Sequence, residues 1–186
     1  PVISGNRVFF GSSNDCRIYA LNSKTGKIAW SFYTDGPVRF APVIYKNKLY
    51  AASDDGYLYC ISTGNGQLIW KKYGSSKQDM ILGNNRMISR WPARGGPVIK
   101  DGILYFGAGI WPSEKVYIHA VDPDNGKTLW VNDSCGQIEM PQPHGGAVAE
   151  SGISAQGYLT IGGDKLFIPT GRAVPAAFDL TTGEFK

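Results

Sequence analysis

The chain has 186 residues, 42% of them hydrophobic and 18% charged, with a formal net charge of +4. It is too apolar for disorder, and its basic residues are scattered, which argues against nucleic acid as a partner. No apolar stretch approaches the roughly 18 uninterrupted residues of a membrane-spanning helix.

Along the chain, short β-rich runs recur in a fixed order. Residues 2–3, 7–11 and 17–21 are followed by a turn and a strand that ends at Trp30. The series returns at 42–44, 48–52 and 57–61 with Trp70, and at 97–99, 103–107 and 116–121 with Trp130. It returns a fourth time at 158–160, 165–169 and 176–180. In each unit a small residue, a polar turn and a glycine keep one register, and the turn glycines Gly26, Gly66, Gly126 and Gly183 are spaced by 40, 60 and 57 residues. Glycine there supplies the positive φ of a tight reversal. Trp30, Trp70 and Trp130 read as packing residues that lie across the boundary between units. No window has a helical period, and four-stranded repeats of about 40 residues are the signature of propeller blades.

The expected fold is therefore all-β, a propeller of four-stranded antiparallel blades. The blades are placed at about 1–34, 41–73, 96–133 and 155–186 of one partial domain, with insertion loops at about 71–96 and 131–156. Pro1 falls within a strand, and the register calls for a docking indole at position 187. The expectation is a segment of a six- to eight-bladed propeller, completed by further blades of the same or another chain.

The motif Ala-x-Asp-x-x-Thr-Gly-Lys-x-x-Trp resembles the tryptophan-docking repeat of quinoprotein alcohol dehydrogenases and their non-catalytic relatives. The segments 88–94, 107–112 and 169–172 resemble those of secreted bacterial propellers with such repeats. The resemblance implies a periplasmic or extracellular location. In the family's enzymes it implies a quinone held between a Trp and an adjacent-cysteine disulfide, beside a calcium bound by acidic and amide side chains. Cys16, Cys60 and Cys135 are not adjacent, and the long loops lack clustered carboxylates.

In a meandering blade the D–A and B–C connections share one face, and every long insertion falls on it. Loops of that length in a compact domain are often functional. They carry Arg90, Trp91, Arg94, Trp111, His144 and Arg172, with Glu139 and Gln142 nearby. Arg39 and Arg94 each stand three residues before the proline of a strand A, so two blades offer an Arg at the same inner position. Guanidinium groups with two indoles suit an anionic, planar or sugar-like ligand; bridging between blades is the structural alternative for the arginines, as loop anchoring is for Trp91 and Trp111. His119 reads as a packed strand residue, and Asp54-Asp55-Gly56 as a turn rather than a cation loop. No metal site is expected.

The favoured function is a non-catalytic ligand-binding or scaffold propeller, with a small molecule, glycan or protein on the loop face and no cofactor. The alternatives are a dehydrogenase using pyrroloquinoline quinone (PQQ) with calcium, and a carbohydrate or anion binder.

Overall fold

The computed structural model describes every residue except 84, 137, 138, 142–144, 151 and 171–174. It is a partial β-propeller, and its only helical piece among the described residues is a single 3-10 turn, Pro112–Glu114. Blade one is the meander Val2–Ser4, Arg7–Ser12, Arg17–Asn22 and Ile28–Tyr33. Blade two is Val43–Tyr45, Lys48–Ala52, Tyr57–Ser62 and Leu68–Tyr73. Blade three is Gly95–Lys100, Ile103–Ala108, Tyr117–Val121 and Thr128–Asn132.

The fourth sheet holds Thr160–Gly162, Lys165–Ile168 and Ala176–Asp179, and Phe185 bridges to Phe178 as its outermost pairing. One strand differs from the sequence expectation. Gly157–Tyr158 pairs in parallel with Gly95–Lys100 of blade three, so strand A of blade four begins at Thr160 instead. The insertions also differ, because each carries a hairpin: Met80–Gly83 with Arg86–Ser89, and Glu139–Pro141 with Val148–Glu150.

The core lies between blades, as it must where each sheet buries a face against its neighbour. Phe9, Ile18 and Trp30 pack on Leu49, Tyr59 and Ile61 across the first seam. Tyr50, Leu58 and Cys60 pack on Leu104 and Phe106 across the second. Ile118 and Ala120 pack on Leu166, Ile168 and Phe178 across the third.

The repeated motif has one physical reason at all three seams. Ala20, Cys60 and Ala120 are fully buried and stand directly opposite Trp30, Trp70 and Trp130, which leaves the indole room on the sheet. A bulge follows each pair and aims the ring at the next blade. Each indole N–H then donates to a turn carbonyl there: Trp30 to Thr63 at 3.0 Å, Trp70 to Pro123 at 3.2 Å and Trp130 to Leu180 at 3.0 Å. The ring lies on the turn glycine. A Cβ on Gly66 would stand 2.8 Å from Trp30, and one on Gly183 2.4 Å from Trp130.

Candidate functional site

On the loop face, the B–C turn of blade two is the centre. Asp54 is buried there, and two arginines from successive D–A links converge on it. Arg39 Nε donates to Asp54 Oδ2 at 2.7 Å, while Arg94 donates through Nε to Oδ1 at 2.7 Å and through Nη2 to Oδ2 at 2.8 Å. Arg94 thus makes the two-pronged contact that guanidinium geometry favours. The inner positions expected to be equivalent do converge, and their target is a carboxylate within the protein. Asp54 was expected to do turn work only, and its charge pairing has no signature in the order of residues along the chain.

Asp55 is also buried. It accepts hydrogen bonds from Tyr59 Oη at 2.6 Å and from the amides of Tyr57 and Asp35 at 2.9 and 3.0 Å. Burial pushes its pKa up, and those bonds oppose the shift. Both carboxylates are therefore engaged within the turn and its ion pairs. Arg39 keeps an exposed edge, beside Phe40 and Tyr158, on a cavity of about 550 Å³. Phe40 and Tyr158 meet edge to face, with ring centroids 5.0 Å apart.

A second group surrounds the 3-10 turn. Arg90 Nε donates to Asp79 Oδ2 at 2.6 Å, and Arg90 Nη1 lies 3.4 Å from Glu114 Oε1. Trp91 is buried, its indole N–H donates to the Glu114 carbonyl, and its ring meets Tyr117 edge-on. It anchors the loop rather than offering a free stacking face. Trp111 is the exposed indole of the pair, 37% accessible, and shares a shallow cavity of about 260 Å³ with Arg90, Ile81 and Glu114. The two groups are joined by Pro92 and Ala93: the Ala93 amide donates to the Ser53 carbonyl and the Gly109 amide to the Pro92 carbonyl.

Gln142, His144 and Arg172 lie outside the described residues, and Glu139 is exposed. His119 is buried and stacked on Phe106 at 4.5 Å, with Nε2 2.8 Å from the Gly74 carbonyl. Burial lowers its pKa to about 4. It is a neutral packing residue at physiological pH.

Sequence reasoning missed the first hairpin. Met87 stands opposite Leu82, so Met80, Leu82 and Met87 share one face, and all three are exposed, Leu82 to 74%. On the other face Ile88 is buried. Arg86 reaches back to the carbonyls of Ser13 and Asn14 at 2.8 and 2.7 Å, and the Ser89 amide donates to the Asp54 carbonyl at 2.8 Å. The hairpin is thus fastened to the turns of blades one and two. The two apolar runs separated by Asn84 and Asn85 were its available signal.

The described residues do not build the quinone arrangement implied by the resemblance. The three thiols are free, and burial pushes Cys60 and Cys135 up to about 11 and about 12, so neither is a thiolate nucleophile at neutral pH. Among the described residues, no three His, Cys, Asp or Glu side chains are grouped to hold a metal. The indole N–H of Trp91 is committed to a carbonyl, and Asp54 to two arginines.

Tryptophan-docked blades with loops gathered on one face define a PQQ-like-repeat β-propeller. The family model described as outer membrane protein assembly factor BamB matches residues 1–186, and the chain belongs to that family. Among curated relatives, the dehydrogenase subunit of the quinone alcohol dehydrogenase of Gluconobacter oxydans is 25% identical over 84% of this chain and 22% of its own length. The outer membrane protein assembly factor BamB of Legionella pneumophila is 32% identical over 47% of this chain and 25% of its own. Of solved structures, BamB from Moraxella catarrhalis superimposes with a TM-score of 0.67 at 17% identity, covering 97% of this chain and 48% of that one. The chain thus spans about a quarter of the length of these two curated relatives. Among the described residues, no helix is long and apolar enough to cross a membrane.

Proposed function

We propose that this chain is part of a non-catalytic docking propeller that acts outside the cytoplasm, in the periplasm of a bacterium. Its loop face would hold a partner protein, with the Met80–Gly83 and Arg86–Ser89 hairpin at the contact. The observation that carries this reading is the outward row of Met80, Leu82 and Met87 on a hairpin whose other face is fastened down. Exposed apolar side chains grouped on an ordered element mark interaction surfaces, and Met adapts to varied partners. Arg39, Arg90, Trp91 and Arg94 support that surface by holding the loops, and Trp111 extends it. The name of the BamB relatives, assembly factor, agrees with a scaffold role.

A photo-crosslinking residue placed at position 82 in the full protein should capture a discrete partner. The same residue at Lys27, on the opposite face, should not. Leu82→Glu with Met87→Glu should abolish the capture while leaving the circular dichroism spectrum and melting temperature unchanged. Equal capture from both positions, or capture that survives the double substitution, overturns the reading. The dehydrogenase relative supplies the competing reading, which predicts tight binding of PQQ with calcium and dye-linked alcohol oxidation.

A further inference from the structure

The three seams are built to one plan, but they differ at one position on the face opposite the insertions. The first residue of strand B is Arg7 in blade one, Lys48 in blade two and Ile103 in blade three. Arg7 Nη1 crosses the first seam and donates to the Thr63 carbonyl and, at 2.7 Å, to the Gly64 carbonyl. Lys48 Nζ crosses the second and reaches Asp124, at 2.7 Å from Oδ1 and 3.4 Å from the carbonyl. In each case a cation from one blade closes the seam over the docked tryptophan.

Ile103 cannot do this. The residues equivalent to Thr63 and Gly64, counted back from the turn glycine, are Leu180 and Thr181. The Leu180 carbonyl takes the indole N–H of Trp130 at 3.0 Å and the Tyr105 hydroxyl at 3.3 Å. Among the described residues no donor reaches the Thr181 carbonyl. Lys100 lies close by, but its ammonium donates to the Gly163 carbonyl. What remains is a groove of about 420 Å³ at the third seam. Ile103 and Leu129 are among its apolar residues, and Asp101 and Asp164 line it together with Lys100 and Thr181. Two acidic residues against one basic give the lining a net negative charge, and Lys186, which feels Asp164, is itself paired with Glu184.

We propose that this groove is a docking site for an arginine side chain on an extended segment of a partner protein, which supplies in trans the cation that Arg7 supplies in cis at the first seam. Arginine fits better than lysine. The lysine seam carries a carboxylate on the turn itself, Asp124, where the third seam has Thr181. The Arg7 seam offers main-chain carbonyls, as the third seam does, and a guanidinium is the group that forks between such acceptors while its alkyl stem lies on apolar side chains. The site lies on the face opposite the hairpin, so it stands or falls separately from the loop-face reading.

The test uses the full protein labelled with 15N-tryptophan, the Trp130 indole signal being assigned by its loss in Trp130→Phe. Acetyl-Gly-Arg-Gly-amide should shift that signal saturably. The same peptide with citrulline, which keeps the shape and loses the charge, should bind about tenfold more weakly or worse. Ile103→Arg should restore the internal bridge, raise the melting temperature and abolish the shift. Asp164→Asn, which leaves the apolar residues in place, should weaken binding without altering the fold. No shift with the arginine peptide, an equal response to citrulline, or a shift undiminished in both Ile103→Arg and Asp164→Asn overturns the proposal.

Discussion

The two faces of the propeller are held by different kinds of bond. On the turn face one arrangement is used three times: small residue, tryptophan, carbonyl, glycine. Each copy is neutral, and its energy comes from burying a large ring and completing one hydrogen bond. On the loop face, among the described residues, the contacts differ from link to link apart from the paired Arg39 and Arg94. Asp54 draws in two arginines from different links, and Arg86 and Trp91 each meet a single carbonyl or pair of carbonyls elsewhere. A repeated neutral contact makes the frame, with Arg7 and Lys48 closing two of its seams, and unrepeated, mostly charged contacts fix the segments that differ from blade to blade.

The sharpest way to separate the two is to remove the loop-face hub. Asp54→Ala leaves Arg94, whose side chain is only 13% exposed, without its counter-charge. Removing one partner of a buried ion pair costs about 3–5 kcal/mol, and the lower end is expected because Arg39 is a third exposed. Urea denaturation should show that loss. Hydrogen exchange should rise first in the Arg86–Ser89 strand, whose Ser89 amide is held by the Asp54 carbonyl. A loss below about 1 kcal/mol would mean that the triad is ornamental to the fold.

His119 tests the comparison by pH. Its folded pKa of about 4 lies below the ordinary 6.5, because burial penalises the imidazolium. Between these values the unfolded chain binds the extra proton, so stability is full above pH 6.5 and falls as pH drops toward 4. The whole span is worth roughly 3 kcal/mol at 1.36 kcal/mol per unit. His119→Phe keeps the stack on Phe106 and should flatten that part of the profile. An unchanged slope between pH 6.5 and 4 in the variant would remove His119 from the account.

This division also explains how much of the molecule was legible in the sequence. The frame was, because Trp30, Trp70 and Trp130 with their glycines announce one contact three times over. Arg39 and Arg94 were legible as a pair for the same reason, by their equal distance from a proline. Their target was not, since Asp54 lies 15 and 40 residues away from them and looks like any turn aspartate. The hairpin was hidden by its position within a segment that matches no other blade. Trp91 and Trp111 looked alike, each followed by proline, yet one is buried on the Glu114 carbonyl and the other is exposed. Sequence placed both indoles on the loop face, but only packing distinguishes anchor from surface.

The smallest effect comes from a pair of glycines that share a conformation and differ in surroundings. Gly102 and Gly66 both have positive φ, +77° and +74°. A Cβ at Gly66 would meet the Trp30 ring at 2.8 Å, whereas a Cβ at Gly102 would meet only the Tyr45 hydroxyl, at an ordinary 3.6 Å. Alanine at either site bears the left-handed backbone cost of about 1–2 kcal/mol. Only Gly66→Ala adds the cost of overpacking, about 1–3 kcal/mol, because the indole cannot retreat without giving up its 3.0 Å bond to Thr63. The two variants of this chain should therefore differ by about 2 kcal/mol in urea denaturation, with Gly66→Ala the less stable. The extra loss should shrink when Trp30→Phe is introduced, since the smaller ring leaves room for the methyl group. Equal losses at the two positions would mean that these glycines serve the turn alone, and that the docked tryptophan does not set the residue beneath it.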